Sequence, residues 1–282
     1  MSLGRERLSW SDDVWKSIDD AVHDEVQRTC VAAKFIPLHS PAPPADALNV
    51  PSDKIDVTTM SVNEAAIIPI VELGVEFRLT RQQIGNEADL ATAVALATRA
   101  ANLLAQAEDI VLFQGDDGFN NALFKTVKRG SGSAGAGLLK SAAQSVSATT
   151  IATGAYGQHT FTAFADAYSK LQAAGHYGPY ALTLSSAVYV DTYAPLPDML
   201  IMPADRIQPL VSLGFFGSGT IPPLSGVLVS VGGNTMDLVA SVDPITEFLQ
   251  VDPDGMYRFK VYERFVLRVK DNTAIVRFEF KK

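Results

Sequence analysis

An α+β fold is predicted by three features of this 282-residue sequence. First, Phe259, Val261, Phe265, Leu267 and Val269 alternate with Lys260, Tyr262, Arg264, Arg268 and Lys270, broken only at Val266. That period of two belongs to a half-buried strand, and an extended stretch over 274–280 follows it, so the last quarter of the chain reads as sheet. Second, residues 87–113 are rich in Ala and Leu and contain neither Gly nor Pro, as a long helix requires. Third, helical spacing from Thr160 to Leu171, stopped at Gly175, gives way to a strand at 181–185, so helix and strand alternate in the middle of the chain.

In chain order, Ser11, Asp12 and Asp13 cap a helix whose Val14, Trp15, Ile18, Ala21, Val22 and Val26 recur at three- and four-residue spacing. Its opposite face, with Asp12, Lys16, Asp19, Asp20, Asp24 and Gln27, reads as solvated. Pro41, Pro43 and Pro44 then impose an extended connection. Two strands follow, one through Ile55, Val57 and Met60 and one alternating cleanly from Val71 to Leu79, with a turn at 61–64 between them. An isolated two-stranded ribbon is marginal in water, so this long hairpin needs a neighbour to pack on, and Ile70 is read as part of that contact. The helix at 87–113 offers a small-residue stripe through Ala97 and Ala101 and stops at Gly115 and Gly118. A basic, Gly- and Ser-rich loop over 125–137 marks a boundary. The segment 195–203 sets four apolar side chains between prolines, which suits an assembly contact or a pore lining.

Composition narrows the function. With 47% hydrophobic and 19% charged residues the chain is globular, and a formal net charge of −8 argues against nucleic acid as a partner. No apolar run has the length of a signal peptide or a membrane helix, so a cytoplasmic, membrane-free protein is expected. The single Cys30 excludes an intrachain disulfide, and its place four residues after Val26 on the apolar helix face suits a buried structural thiol. Gly130, Gly132 and Gly135 match the dinucleotide-binding spacing, yet Gly154, Ala155 and Tyr156 stand where the ribose-binding acid belongs, so a flexible loop is the better reading. The run also lacks the Lys and hydroxyl of a phosphate-binding loop. His23, His39, His159 and His176 occupy unrelated contexts, and no serine stands in a nucleophile elbow. No catalytic residue, metal site or cofactor is expected.

Six phrases nevertheless occur in an order that resembles the encapsulin shell proteins: Trp10 to Trp15 with its helix; Ala33 to Leu38; Ile68 to Phe77; Glu108 to Gly115; Gly175 to Tyr180; and Met236 to Phe265. The resemblance implies an α+β, tailed-phage (Hong Kong 97) major-capsid-like fold with a peripheral domain, an axial domain and an extended loop. Residues 1–45 would then hold the N-terminal helix and the start of the peripheral domain, 46–86 the extended loop hairpin, 87–120 the spine helix, 121–230 the axial domain and 231–282 the C-terminal sheet of the peripheral domain. It also implies a homo-oligomer, a closed icosahedral shell of pentamers with or without hexamers. Such a nanocompartment encloses a cargo enzyme of iron-handling or peroxidase type, serving iron storage or defence against oxidative stress, and captures it by a short C-terminal targeting peptide.

By the same resemblance, the peptide groove would use Val26, Cys30, Ala33, Ile36, Leu38, Asp243 and Ile245. Ala33 departs from the arginine that several relatives carry, which removes an ionic contact to the cargo. Some relatives bind flavin through a tryptophan; the matching position here is Gln82, so no flavin is expected. Pro197, Asp198, Met199, Leu200, Ile201 and Met202 would line a pore, with a ring of Asp198 carboxylates attracting small cations such as ferrous iron. Two other readings stay open: a phage or prophage major capsid protein packaging DNA, against which the acidic balance counts, and an α+β enzyme without a recognisable motif.

Overall fold

A computed structural model of the chain describes residues 3–56, 58–130, 132–151, 154–195 and 201–282. Helix α1 (Asp12–Thr29) buries the predicted stripe of Trp15, Ile18, Val22 and Val26. An arm follows, in which β1 (Asn49–Pro51) and β2 (Lys54–Asp56) pair antiparallel with β4 (Ile67–Pro69) and β3 (Ser61–Asn63) respectively. Its tip lies earlier than the sequence suggested, because Ser61–Asn63 is itself a strand. The turn is set instead by Asp56, whose carboxylate accepts the Thr58 amide at 2.9 Å, and by Met60 at a φ of 50°.

Strand β5 (Val71–Leu79) leads through α2 (Arg81–Gly85) and α3 (Glu87–Leu90) into the spine helix α4 (Thr92–Gln114). The sequence predicted one helix from residue 87, but Ala91 adopts a left-handed φ of 47° and divides it. The buried carboxylate of Glu87 is the reason, since it accepts the Ala93 and Val94 amides at 2.7 and 3.2 Å and caps α4 from the preceding turn. At the other end, Gly115 lies against the backbone of residues 135–137, where a Cβ would collide with it. The Gly-rich loop is thus packed on the end of the spine.

The remaining elements are β6 (Lys128–Arg129), α5 (Gly137–Ser141), β7 (Gln144–Thr149), α6 (Gln158–Ala173), β8 (Tyr180–Ser185), α7 (Ser186–Asp191), α8 (Pro203–Ile207), β9 (Gly214–Ser218), β10 (Ser225–Ser230), β11 (Met236–Val251), β12 (Tyr257–Val269) and β13 (Ile275–Lys281). Among the described residues they build two larger sheets. One has the order β11-β12-β5-β6 and is antiparallel; the other has the order β7-β13-β10-β8-β9, with β13 and β9 parallel to β7 and β8. The C-terminal stretch expected to form one sheet is therefore divided, with β11 and β12 in the first and β13 in the second. Val276, Phe278 and Phe280 explain the division: they pack with Leu182, Leu184, Leu228 and the α6 residues Phe164 and Leu171 in a core of their own.

Strand β12 is covered on both faces. Phe259, Val261 and Phe265 meet α1 and α4, where Trp10 stacks on Phe259 with centroids 5.4 Å apart and Phe77 stacks on it at 5.2 Å. On the other face Val266, the one break in the alternation, joins Val50, Ile70 and Val239 beneath the root of the arm. Ile70 is only 4% exposed and buried within its own chain, so it cannot be the neighbour contact expected of it. The apolar side chains the arm leaves open are Met60, Val62 and Ile67.

The polar residues of this face are buried as well. Arg268, 2% exposed, donates to both Asp237 carboxylate oxygens at 2.8 Å, to the Pro51 carbonyl at 3.2 Å and to Asp53. Lys270 reaches the same Asp237 at 2.8 Å, and Arg264 donates to the Ala45 and Ala47 carbonyls. Burial alone would push Asp237 up; the Arg268 and Lys270 hydrogen bonds outweigh it and hold this carboxyl below the ordinary range.

Ile70→Asp should unfold the subunit itself, lowering stability by about 3–5 kcal/mol in chemical denaturation, since it places a charge in a packed apolar cluster. Arg268→Met should lower it by about 3 kcal/mol by leaving Asp53 and part of Asp237 uncompensated, read as a drop in thermal midpoint.

Candidate functional site

The C-terminal end of α1 faces β11 and β12 across an open groove of about 380 Å³. His23, Val26, Gln27 and Cys30 reach it because positions three, four and seven apart share one helix face. Beyond Cys30 the chain turns sharply, and the turn is fastened by Asp109 of α4, which accepts the Val31 and Ala32 amides at 2.9 and 2.8 Å and the Cys30 thiol at 3.1 Å. This sets Ala33 and Lys34 on the rim. Leu38 pairs with Leu238 through the bonds His39 N–H to Leu238 O and Leu238 N–H to Pro37 O, both 2.8 Å, and stays 63% exposed at the edge. On the far wall β11 loses register with β12 between Ala240 and Ile245, which swings Val242, Asp243 and Pro244 into the groove.

Of the residues expected here, Val26, Cys30, Ala33, Leu38 and Asp243 come together as lining. Ile36 does not; it is buried in the core beneath the turn. Ile245 is half-buried on β11 opposite Tyr262, outside the lining. Pro197, Asp198, Met199 and Leu200 of the expected pore lie outside the described residues; Ile201 is exposed, and the Met202 amide donates to Asp205 at 3.0 Å ahead of α8. Gln82 is exposed on α2.

Among the lining residues that escaped the sequence reading, two are buried acids. Glu108 stands four residues after Leu104 on the inner stripe of α4, and Glu263 occupies an inward position of β12 between Val261 and Phe265. Both carry a signal, a charged residue at an apolar register position, that the spacing alone contained. They are 4% and 3% exposed, and Glu263 Oε1 has no hydrogen-bond partner. Burial pushes Glu108 up to about 8, helped by the neighbouring Asp109, and pushes Glu263 well above the carboxylate range, helped by Glu108. Asp109 rises for the same reason, and burial with these two acids raises the Cys30 thiol, which disfavours the nucleophilic thiolate. Burial thus favours the neutral form of the acids on the groove floor. Among the described residues no group of three or more His, Cys, Asp or Glu could hold a metal ion, and no helix is long and apolar enough to cross a membrane.

A family model described as an encapsulating protein for peroxidase matches residues 1–266. The chain belongs to the encapsulin family. It is 25% identical over 299 residues to the type 1 encapsulin shell protein EncA of Myxococcus xanthus strain DK1622, across 98% of this chain and 96% of that one. Among solved structures it resembles a virus-like particle from Pyrococcus furiosus with a TM-score of 0.67 at 16% identity, covering 94% of this chain and 99% of that one. It also resembles the capsid of Myoviridae phage XM1, at 0.59 and 14%, covering 88% and 90%. The SrpI encapsulin of Synechococcus elongatus PCC 7942 follows at 0.57 and 9%, covering 89% and 88%. The encapsulin chain thus has the tailed-phage capsid fold.

The raised Glu108 gives this encapsulin a pH signature. From about its ordinary 4.5 up to about 8 the folded chain holds a proton that the unfolded chain has released, so stability falls as pH rises through that window. Glu108→Gln should remove this slope: thermal melting is expected to match the parent near pH 4 and to exceed it near pH 8.

Proposed function

We propose that this chain is the subunit of a closed icosahedral protein compartment, and that the groove beside α1 holds the short C-terminal targeting peptide of an enclosed enzyme. The observation that carries the reading is the convergence of Val26, Cys30, Ala33, Leu38 and Asp243, scattered over more than two hundred positions, into one apolar trough long enough for a few peptide side chains. Ala33 in place of a basic residue keeps that wall apolar, which suits a peptide anchored by aliphatic side chains. The family model's description names peroxidase as what its proteins enclose, so a peroxidase-type cargo comes first and an iron-handling one second.

Assembly supplies what the arm lacks alone. Its open Met60, Val62 and Ile67 need a neighbouring subunit, and closed symmetry lets many modest contacts act together, in pentamers with or without hexamers. A viral capsid protein shares the fold, but a net charge of −8 is a poor lining for packaged DNA.

Expression of the chain alone, followed by size-exclusion chromatography and negative-stain electron microscopy, tests the shell; a monomer or small oligomer would defeat it. Ile67→Asp should give folded subunits and no particles. Leu38→Asp and Ala33→Trp should leave particles intact and reduce co-purification of a co-expressed, tail-bearing peroxidase or ferritin-like cargo at least tenfold; full loading would mean that the groove is not the docking site.

A further inference from the structure

We propose that occupation of this groove is proton-linked: an uncharged apolar segment seats only while the carboxyl pair at the floor, Glu108 and Glu263, is protonated, and deprotonation releases it. The proposal rests on the groove being a docking site and adds its regulation.

The geometry supplies the argument. Glu108 from α4 and Glu263 from β12 are both more than nine-tenths buried, both line the groove, and Glu263 Oε1 lies buried there with no hydrogen-bond partner. Among the described residues no Lys, Arg or His forms an ion pair with either. The groups facing the pair are His23 and Cys30 from α1, Lys34 from the turn, Asp109 beside Glu108 on α4, and Asp243 from β11. Of the cations, Lys34 is exposed on the rim, donates to the Arg28 carbonyl at 3.1 Å and acts on Asp109. Arg264, next to Glu263 in sequence, projects from the opposite face of β12 to the Ala45 and Ala47 carbonyls. His23 is exposed and lies against Gln27 at 2.6 Å.

An apolar occupant closes off the little water that still reaches the pair, 4% and 3% exposed in the open groove, so ionisation becomes harder in the complex. By linkage, whatever raises proton affinity on binding loses binding affinity when the protons leave. The sign follows: affinity is full below the titration of the pair and lost above it, and the rise of Glu108 to about 8 sets the window. With one required proton, the dissociation constant should be about tenfold larger at pH 9 than at pH 7. An occupant that brings a Lys or Arg to the pair would give the opposite sign.

The test uses assembled full-length protein and capped octapeptides drawn from Leu, Ile, Val, Ser and Gly, which carry no titratable group. Binders are selected at pH 6.5 and kept only if Ala33→Trp abolishes binding. Fluorescence anisotropy should show the tenfold weakening for the parent and for His23→Gln. The double variant Glu108→Gln, Glu263→Gln should show no weakening between pH 7 and pH 9, whatever its affinity at pH 7, which also excludes a general effect of alkali on the particle. Should the double variant not assemble, Glu108→Gln alone carries the same expectation. A flat or tightening profile in the parent, or persistence of the weakening in the Gln variant, overturns the proton linkage and leaves docking intact. Failure to select any peptide sensitive to Ala33→Trp overturns docking itself, and the linkage with it.

Discussion

Strand β12 is buried on both faces, and the rest of the chain is arranged to satisfy them. Toward the helices it offers Phe259, Val261 and Phe265, which the small residues of α4 let approach closely. Toward the arm it offers Arg264, Arg268 and Lys270, whose charges would be untenable in a covered sheet without Asp237, Asp53 and the carbonyls of the arm's root. The same strand thus supplies an apolar core and an ionic clamp, one residue out of phase with each other. Removing either layer strands the groups of the other.

Much of this was legible in the sequence, for a physical reason: side-chain period reports which face is covered by apolar matter. The α1 stripe, the β5 alternation and the small-residue face of α4 followed directly from spacing. What spacing could not report is that a polar face may be covered too. Arg264 and Arg268 read as solvent-facing because their partners, Asp53 and the carbonyls at 45, 47 and 51, lie more than two hundred positions away. Val266 read as a slip for the same reason, although it is in phase with a second small core. The division at Ala91 depended on a carboxylate folding back on its own helix, and the separation of β13 from β12 on a partner core that no local pattern encodes.

The groove divides along similar lines. The family resemblance located the walls, since they lie in its recognisable phrases, and five of seven named residues line it. The floor came only from the structure. Glu108 and Glu263 sit within otherwise apolar stripes on different elements, and either alone reads as a tolerated exception; together they make a buried acid pair under an open trough. A search for charged residues at inward register positions would have found both.

The ties at the root of the arm have a mechanical consequence. A ribbon running from Asn49 to its tip near Met60 extends roughly 30 Å at the usual rise per strand residue. It is held as far out as Ile55, whose amide donates to the Lys270 carbonyl at 2.9 Å, with hydrogen bonds from Arg264 and Arg268 and four packed side chains nearer its root. Beyond that tie roughly 15 Å of ribbon reaches to the tip, so each degree of rotation there carries the tip about a quarter of an ångström, as simple arc length requires at that strand rise. The direction in which the arm points is therefore decided deep inside the chain's own sheet, far from the arm's open tip.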